Sequence, residues 1–196
     1  MPGGFVICEY GAVKRFFPEY ADLMRRCRDA LVNLARARWG LEFGGLSPTA
    51  GQFGETTVLP ALFADNTGTR LTTWRQHITS TGSQTLLTGV GSGGIIPEDF
   101  MVGIVGVAFL EPVLRVSEIK LQISDKKLPR INLEEAMAYE QPAIIFEDYY
   151  LVEEEQAFEL VGYVEAAGYQ SIKLIGVQVN RVPNKLQVTA TGAAVA

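Results

Sequence analysis

From residue 70 to residue 189 the chain is a succession of eight short runs rich in Val, Ile, Thr, Phe and Tyr, parted by turn residues. They are Arg70 to Thr79, Gln84 to Thr88, Met101 to Leu110, Leu114 to Ser124, Ala143 to Val152, Ala157 to Glu165, Ser171 to Val179 and Lys185 to Thr189. β-Branched and aromatic side chains suit a pleated surface, so each run predicts a strand. Parallel neighbours would need a crossover of a dozen or more residues between successive strands, usually a helix. No such regular helices intervene. The pattern therefore predicts a mainly β fold, an antiparallel jelly-roll-like β-sandwich, since eight strands in about 120 residues is the number a jelly roll uses.

The turns carry their own signals. Gly82, Gly89-Val90-Gly91 and Gly93-Gly94 mark reversals, and Ala166-Ala167-Gly168 predicts a tight hairpin with Gly168 at positive φ. One short helix is expected over Leu133 to Tyr139, capped by Asn132 with Glu135 at the capping-box position. There is no internal repeat or low-complexity tract.

Ahead of the strands lies the clearest helix in the chain. Phe17, Tyr20, Met24, Cys27, Leu31 and Leu34 recur at spacings of 3, 4, 3, 4 and 3, which puts all six on one face. Pro18 suits a first helical position and Gly40 a stop, so the spacing predicts a helix over 18–39. We take the six as an assembly or interface stripe, buried against the β-domain or a neighbour. Residues 1–13 read as a Gly-bearing arm around Phe5-Val6-Ile7-Cys8. Residues 40–70 are broken by Gly40, Gly44, Gly45, Pro48, Gly51, Gly54, Pro60 and Gly68, and read as an extended linker. The expected organisation is thus an N-terminal arm, amphipathic helix and linker over 1–65 and a β-sandwich domain over 66–196.

Charge is unevenly placed. The net charge of −5 divides into +2 over residues 1–96, with nine Lys and Arg against seven Asp and Glu, and −7 over 97–196, with eight against fifteen. Arg25, Arg26, Arg28, Arg36 and Arg38 make the helix basic. They solvate its outer face or meet nucleic acid or another polyanion, and a membrane-surface helix is a third reading. The longest uncharged apolar run, Phe100 to Leu110, is too short for a bilayer, which needs roughly 20 residues, so no transmembrane segment is expected. The N-terminus has no signal-peptide pattern. Cys8 and Cys27 read as two reduced, packed thiols.

Chemistry is sparse. His77 is the single histidine and sits in a strand-like run, so neither a Ser-His-Asp triad nor a cupin-type metal site can be assembled in the usual way. The P-loop pattern is absent, and Gly89, Gly91, Gly93 and Gly94 lead into a strand, not a helix. Glu147, Asp148, Glu153, Glu154 and Glu155 flank Tyr149-Tyr150-Leu151-Val152, and could build a Ca²⁺ site or a glycosidase pair. The plainer expectation is that Glu153 to Glu155 form a solvated turn. No enzyme activity and no cofactor is expected.

An arm, an amphipathic helix and a β-sandwich without catalytic groups resemble the small jelly-roll coat proteins of viruses, over roughly residues 66–190. The resemblance is architectural and transfers no residue. It implies a structural, self-assembling capsid subunit in a virion, with copies of itself and other virion proteins as partners. Outside that reading the chain is expected in the cytoplasm. The alternative is a carbohydrate- or ligand-binding β-sandwich module, for which Tyr149, Tyr150 and Tyr163 are the residues to test.

Overall fold

The structure is a computed structural model and describes residues 4–13, 18–42 and 53–181. Phe17 and the expected strand Lys185 to Thr189 lie outside these residues. In chain order the elements are β1 (Phe5–Glu9), α1 (Pro18–Glu42), β2 (Phe53–Thr57), β3 (Phe63–Ala64), β4 (Arg75–Ile78), β5 (Gly82–Gly89), β6 (Phe100–Phe109), β7 (Val116–Ile123), β8 (Lys126–Lys127), β9 (Ile131–Asn132), β10 (Pro142–Val152), β11 (Phe158–Val164) and β12 (Gly168–Arg181).

Two antiparallel sheets result. The first has the order β1-β10-β6-β12-β2, with β4 also on β12. The second has β3-β5-β11-β7-β8, with β9 also on β7. The pairing is nested: β2 with β12, β5 with β11, β6 with β10 and β7 with β9. Such a chain is one long hairpin whose four pairs fall alternately in the two sheets, the jelly-roll arrangement. The fold expected from the sequence is the fold observed.

Several boundaries differ from expectation. Helix α1 runs through Gly40 to Glu42. A glycine costs only about 1 kcal/mol in a helix interior, and buried Trp39 anchors that turn. Of the run Arg70 to Thr79 only Arg75–Ile78 is strand, because the Leu71 N–H turns back to donate to Phe63 O at 2.9 Å. The helix expected after Asn132 shrinks to a 3-10 turn, Glu135–Ala138, although Asn132 Oδ1 does accept from the Glu134 N–H at 2.7 Å. Ala166-Ala167-Gly168 is not a hairpin. It carries the chain from β11 in the second sheet to β12 in the first. A glycine suits this link, because the φ of 142 at Gly168 is a backbone conformation that side chains rarely adopt.

The strands β1, β2 and β3 enter the sandwich. β1 pairs with β10, β2 with β12 and β3 with β5, so a division at residue 65/66 falls inside the two sheets. The main core lies between the sheets and includes Phe63, Leu86, Ile104, Phe109, Phe158 and Leu160. A second apolar layer lies on the outer face of the first sheet, under α1. Leu23, Cys27, Leu31, Ala35 and Trp39 are buried there against Met101, Val105, Ile145, Ile175, Val177 and Val179. Close approach is allowed at Gly103, where a Cβ would lie 2.5 Å from Cys27 Sγ.

Candidate assembly surface

Strand register fixes which connections share an end of the roll. Ala143 at the start of β10 faces Ala108 near the end of β6, and Val164 at the end of β11 faces both Val116 and Gly82, the starts of β7 and β5. Ile172 in β12 faces Phe109. The connections β4–β5, β6–β7, β9–β10 and β11–β12 therefore open at one end.

That end carries most of the exposed large apolar side chains among the described residues. Among the described residues eight large apolar side chains are exposed, and five of them, Val113, Met137, Tyr139, Tyr163 and Tyr169, lie in these connections or within a residue or two of them. Val113, Met137 and Tyr169 are more than half exposed. Scattered apolar side chains need no explanation, but a gathered set marks an interaction surface. The backbone beneath is braced. Arg115 donates from Nη1 to Ala167 O at 3.0 Å and from Nε to Tyr169 O at 3.3 Å. Gln141 Nε2 donates to Leu110 O at 3.2 Å, tying the β9–β10 connection to β6–β7. The Arg75 guanidinium lies 4.4 Å from the Tyr169 ring centroid and pairs with Glu111 at 3.1 Å. His77 is exposed on β4, its ring 4.8 Å from that of Tyr169. A rigid rim holding exposed apolar groups can dock a complementary surface with little loss of conformational freedom.

The helix stripe expected to form an interface packs on the first sheet of its own chain. Cys27 and Leu31 are fully buried, while Tyr20, Met24 and Leu34 are half-buried at the margins. The deepest line is Leu23, Cys27, Leu31, Ala35 and Trp39. The i, i+4 recurrence through Leu23, Cys27, Leu31, Ala35 and Trp39 was the available signal for it. Burial, followed by the charge of Asp148, pushes the Cys27 thiol up to about 12, and both cysteines are free thiols.

The helix arginines are largely engaged with carboxylates. Arg25 and Arg26 pair with Asp22 at 2.5 and 3.1 Å, Arg28 with Glu55 on β2, and Arg38 with Glu154 at 3.4 Å. Arg36 is exposed on the same helix. The pairs hold the helix to itself and to the sandwich.

Among the described residues no three His, Cys, Asp or Glu side chains come together as a metal site. Tyr163, on β11 of the second sheet, is remote in the fold from Tyr149 and Tyr150 on β10. Among the same residues no helix is long and apolar enough to cross a membrane.

No family model and no curated protein matches the chain. A family two carbohydrate esterase from Cellvibrio japonicus aligns with it at 11% identity and a TM-score of 0.25, over 66% of this chain and 34% of that one. The chain thus spans about a third of that structure's length, and a likeness this slight carries no argument about activity.

Proposed function

We propose that the chain is the structural subunit of a protein shell, a coat-type jelly roll of a virion that associates with copies of itself through the loop end of the roll. The observation that carries this reading is the gathering of Val113, Met137, Tyr139, Tyr163 and Tyr169 at that end. The outer face of the first sheet is already covered by α1, and five of the eight large apolar side chains exposed among the described residues lie at the loop end. A stable interface buries about 800 Å² per partner, so association through this end is expected to engage several of the four connections together. The role is one of assembly, not catalysis.

Light scattering over a concentration series, with electron microscopy of the largest species, tests it. The full chain is expected to form discrete high-mass particles. The double variant Val113→Asp, Met137→Asp is expected to stay small while melting at an unchanged temperature, since both side chains are exposed. A chain that is monomeric at every concentration, or a double variant that assembles like the parent, overturns the reading.

A further inference from the structure

A second feature lies toward the opposite end of the roll and does not depend on the assembly reading. The ladder between β10 and β6 is regular from Ala143↔Ala108 to Ile145↔Gly106 and resumes at Tyr150↔Ile104. Four residues of β10, Phe146 to Tyr149, thus stand opposite the single residue Val105. An insertion of this size bends the strand and re-aims its side chains, a device found beside binding sites. On its other side β10 is paired with β1 only through Phe146, with one further bond from the Glu147 N–H to Gly4 O at 3.0 Å. Beyond that, no strand flanks β10 on this side among the described residues.

The uncovered stretch borders a cavity of about 450 Å³, within the range of small-molecule sites. Its apolar wall comes from Leu34 of α1 and Ile123 and Leu128 of the second sheet's edge, and its polar groups are Asp148, Glu153, Gln156 and Lys126. Tyr149 and Tyr150 border it from the two faces of the strand. Tyr149 is backed by the layer under α1, and Tyr150 by the inter-sheet core, with Phe146 edge-on at 5.2 Å. Some polar atoms are already engaged: Asp148 Oδ1 accepts from the Tyr149 N–H at 2.9 Å, and Gln156 Oε1 from the Glu153 N–H at 2.9 Å. Those bonds fix the two side chains and leave Asp148 Oδ2 and the Gln156 amide nitrogen for a ligand.

We propose that this cleft binds a pyranose sugar. Charges of both signs on the wall disfavour a simple anion or cation, each of which would meet a like charge. A neutral ring with hydroxyls offers donors to Asp148 and Glu153 and acceptors to Lys126 and Gln156. Its C–H face suits a tyrosine ring. Such sites need few polar groups if these are held in place.

The test is titration of the full chain with glucose, galactose, mannose and N-acetylglucosamine, followed by ligand-observed NMR. At least one is expected to bind saturably, with a Kd raised at least about tenfold in both Tyr149→Ala and Asp148→Asn. The Asp148→Asn change is nearly isosteric and guards against a folding artefact, which a thermal melt would reveal. Tyr163→Ala, at the other end, is expected to leave sugar binding unchanged. Absence of saturable binding by all four sugars, or binding indifferent to Asp148→Asn, overturns the proposal. Particle size in the Asp148→Asn variant is expected to equal that of the parent, so this failure and that of the assembly reading are distinguishable.

Discussion

Glu154 stands in the run Glu153 to Glu155, which reads as a solvated turn, yet its side chain is only 7% exposed. Its carboxylate accepts from the Trp39 indole N–H at 3.0 Å, the Asp99 backbone N–H at 3.2 Å and Arg38 Nε at 3.4 Å. Bonds from partly buried donors to a charged acceptor are the stronger kind, and here they pin the last turns of α1 to the sandwich. Glu154→Ala is therefore expected to lower stability by roughly 1–3 kcal/mol in urea unfolding, while Glu155→Ala, which is exposed, stays within about 0.5 kcal/mol. Equal effects at the two positions would mean that Glu154 is as solvated as its neighbour. Nothing in three identical residues tells which one turns inward. The deciding partner, Trp39, lies 115 residues away, and sequence periodicity carries no information over such a separation. The helix stripe was legible because the spacing of its own residues, at i+3 and i+4, marks one face whatever that face packs on.

Strands and helix were legible where one element's pattern reports its own surroundings. β7 and β11 alternate between buried and more accessible positions, as strands with one solvated face do. β6 is buried at nine of its ten positions. Its uninterrupted apolar run is the mark of a strand covered on both faces, by the second sheet on one side and α1 on the other. β2, Phe-Gly-Glu-Thr-Thr, has no such pattern; its ladder with Val177 to Arg181 makes it a strand. The apolar layer under α1 gives a graded test. Leu31 is fully buried against Met101, Val177 and Val179, whereas Leu34 is half-buried at the margin. Leu31→Asp is expected to cost roughly 3–5 kcal/mol, by loss of contact and burial of a charge, and Leu34→Asp clearly less. Chemical denaturation of both variants checks the order; equal costs would show that the helix is not seated on this face.

At the scale of the whole molecule, the N-terminal third supplies β2, the first strand of the rolled hairpin, together with β1, β3 and α1. An independent domain beginning near residue 66 would lack β2, the partner of the C-terminal half of β12, and β3, the partner of β5 at Gly89 and Thr88. It would also lack α1, leaving Met101, Val105, Ile145, Ile175, Val177 and Val179 facing water on one side of a single sheet. Each such side chain contributes about 1.5–3 kcal/mol on burial, so the lost layer is comparable to the 5–15 kcal/mol by which a whole domain is stable. Deletion of residues 1–65 is therefore expected to abolish cooperative folding, read as loss of the thermal transition and recovery in the insoluble fraction. The same reasoning separates structure from assembly. The Val113→Asp, Met137→Asp variant alters an exposed rim and should fold, whereas the truncation removes part of two cores and should not. A soluble residue 66–196 fragment with a sharp thermal transition would show that the sandwich stands without its N-terminal strands, and that α1 and β1 are appendages to it. The nested pairing argues otherwise, because removing the first strand of a rolled hairpin removes the partner of its last.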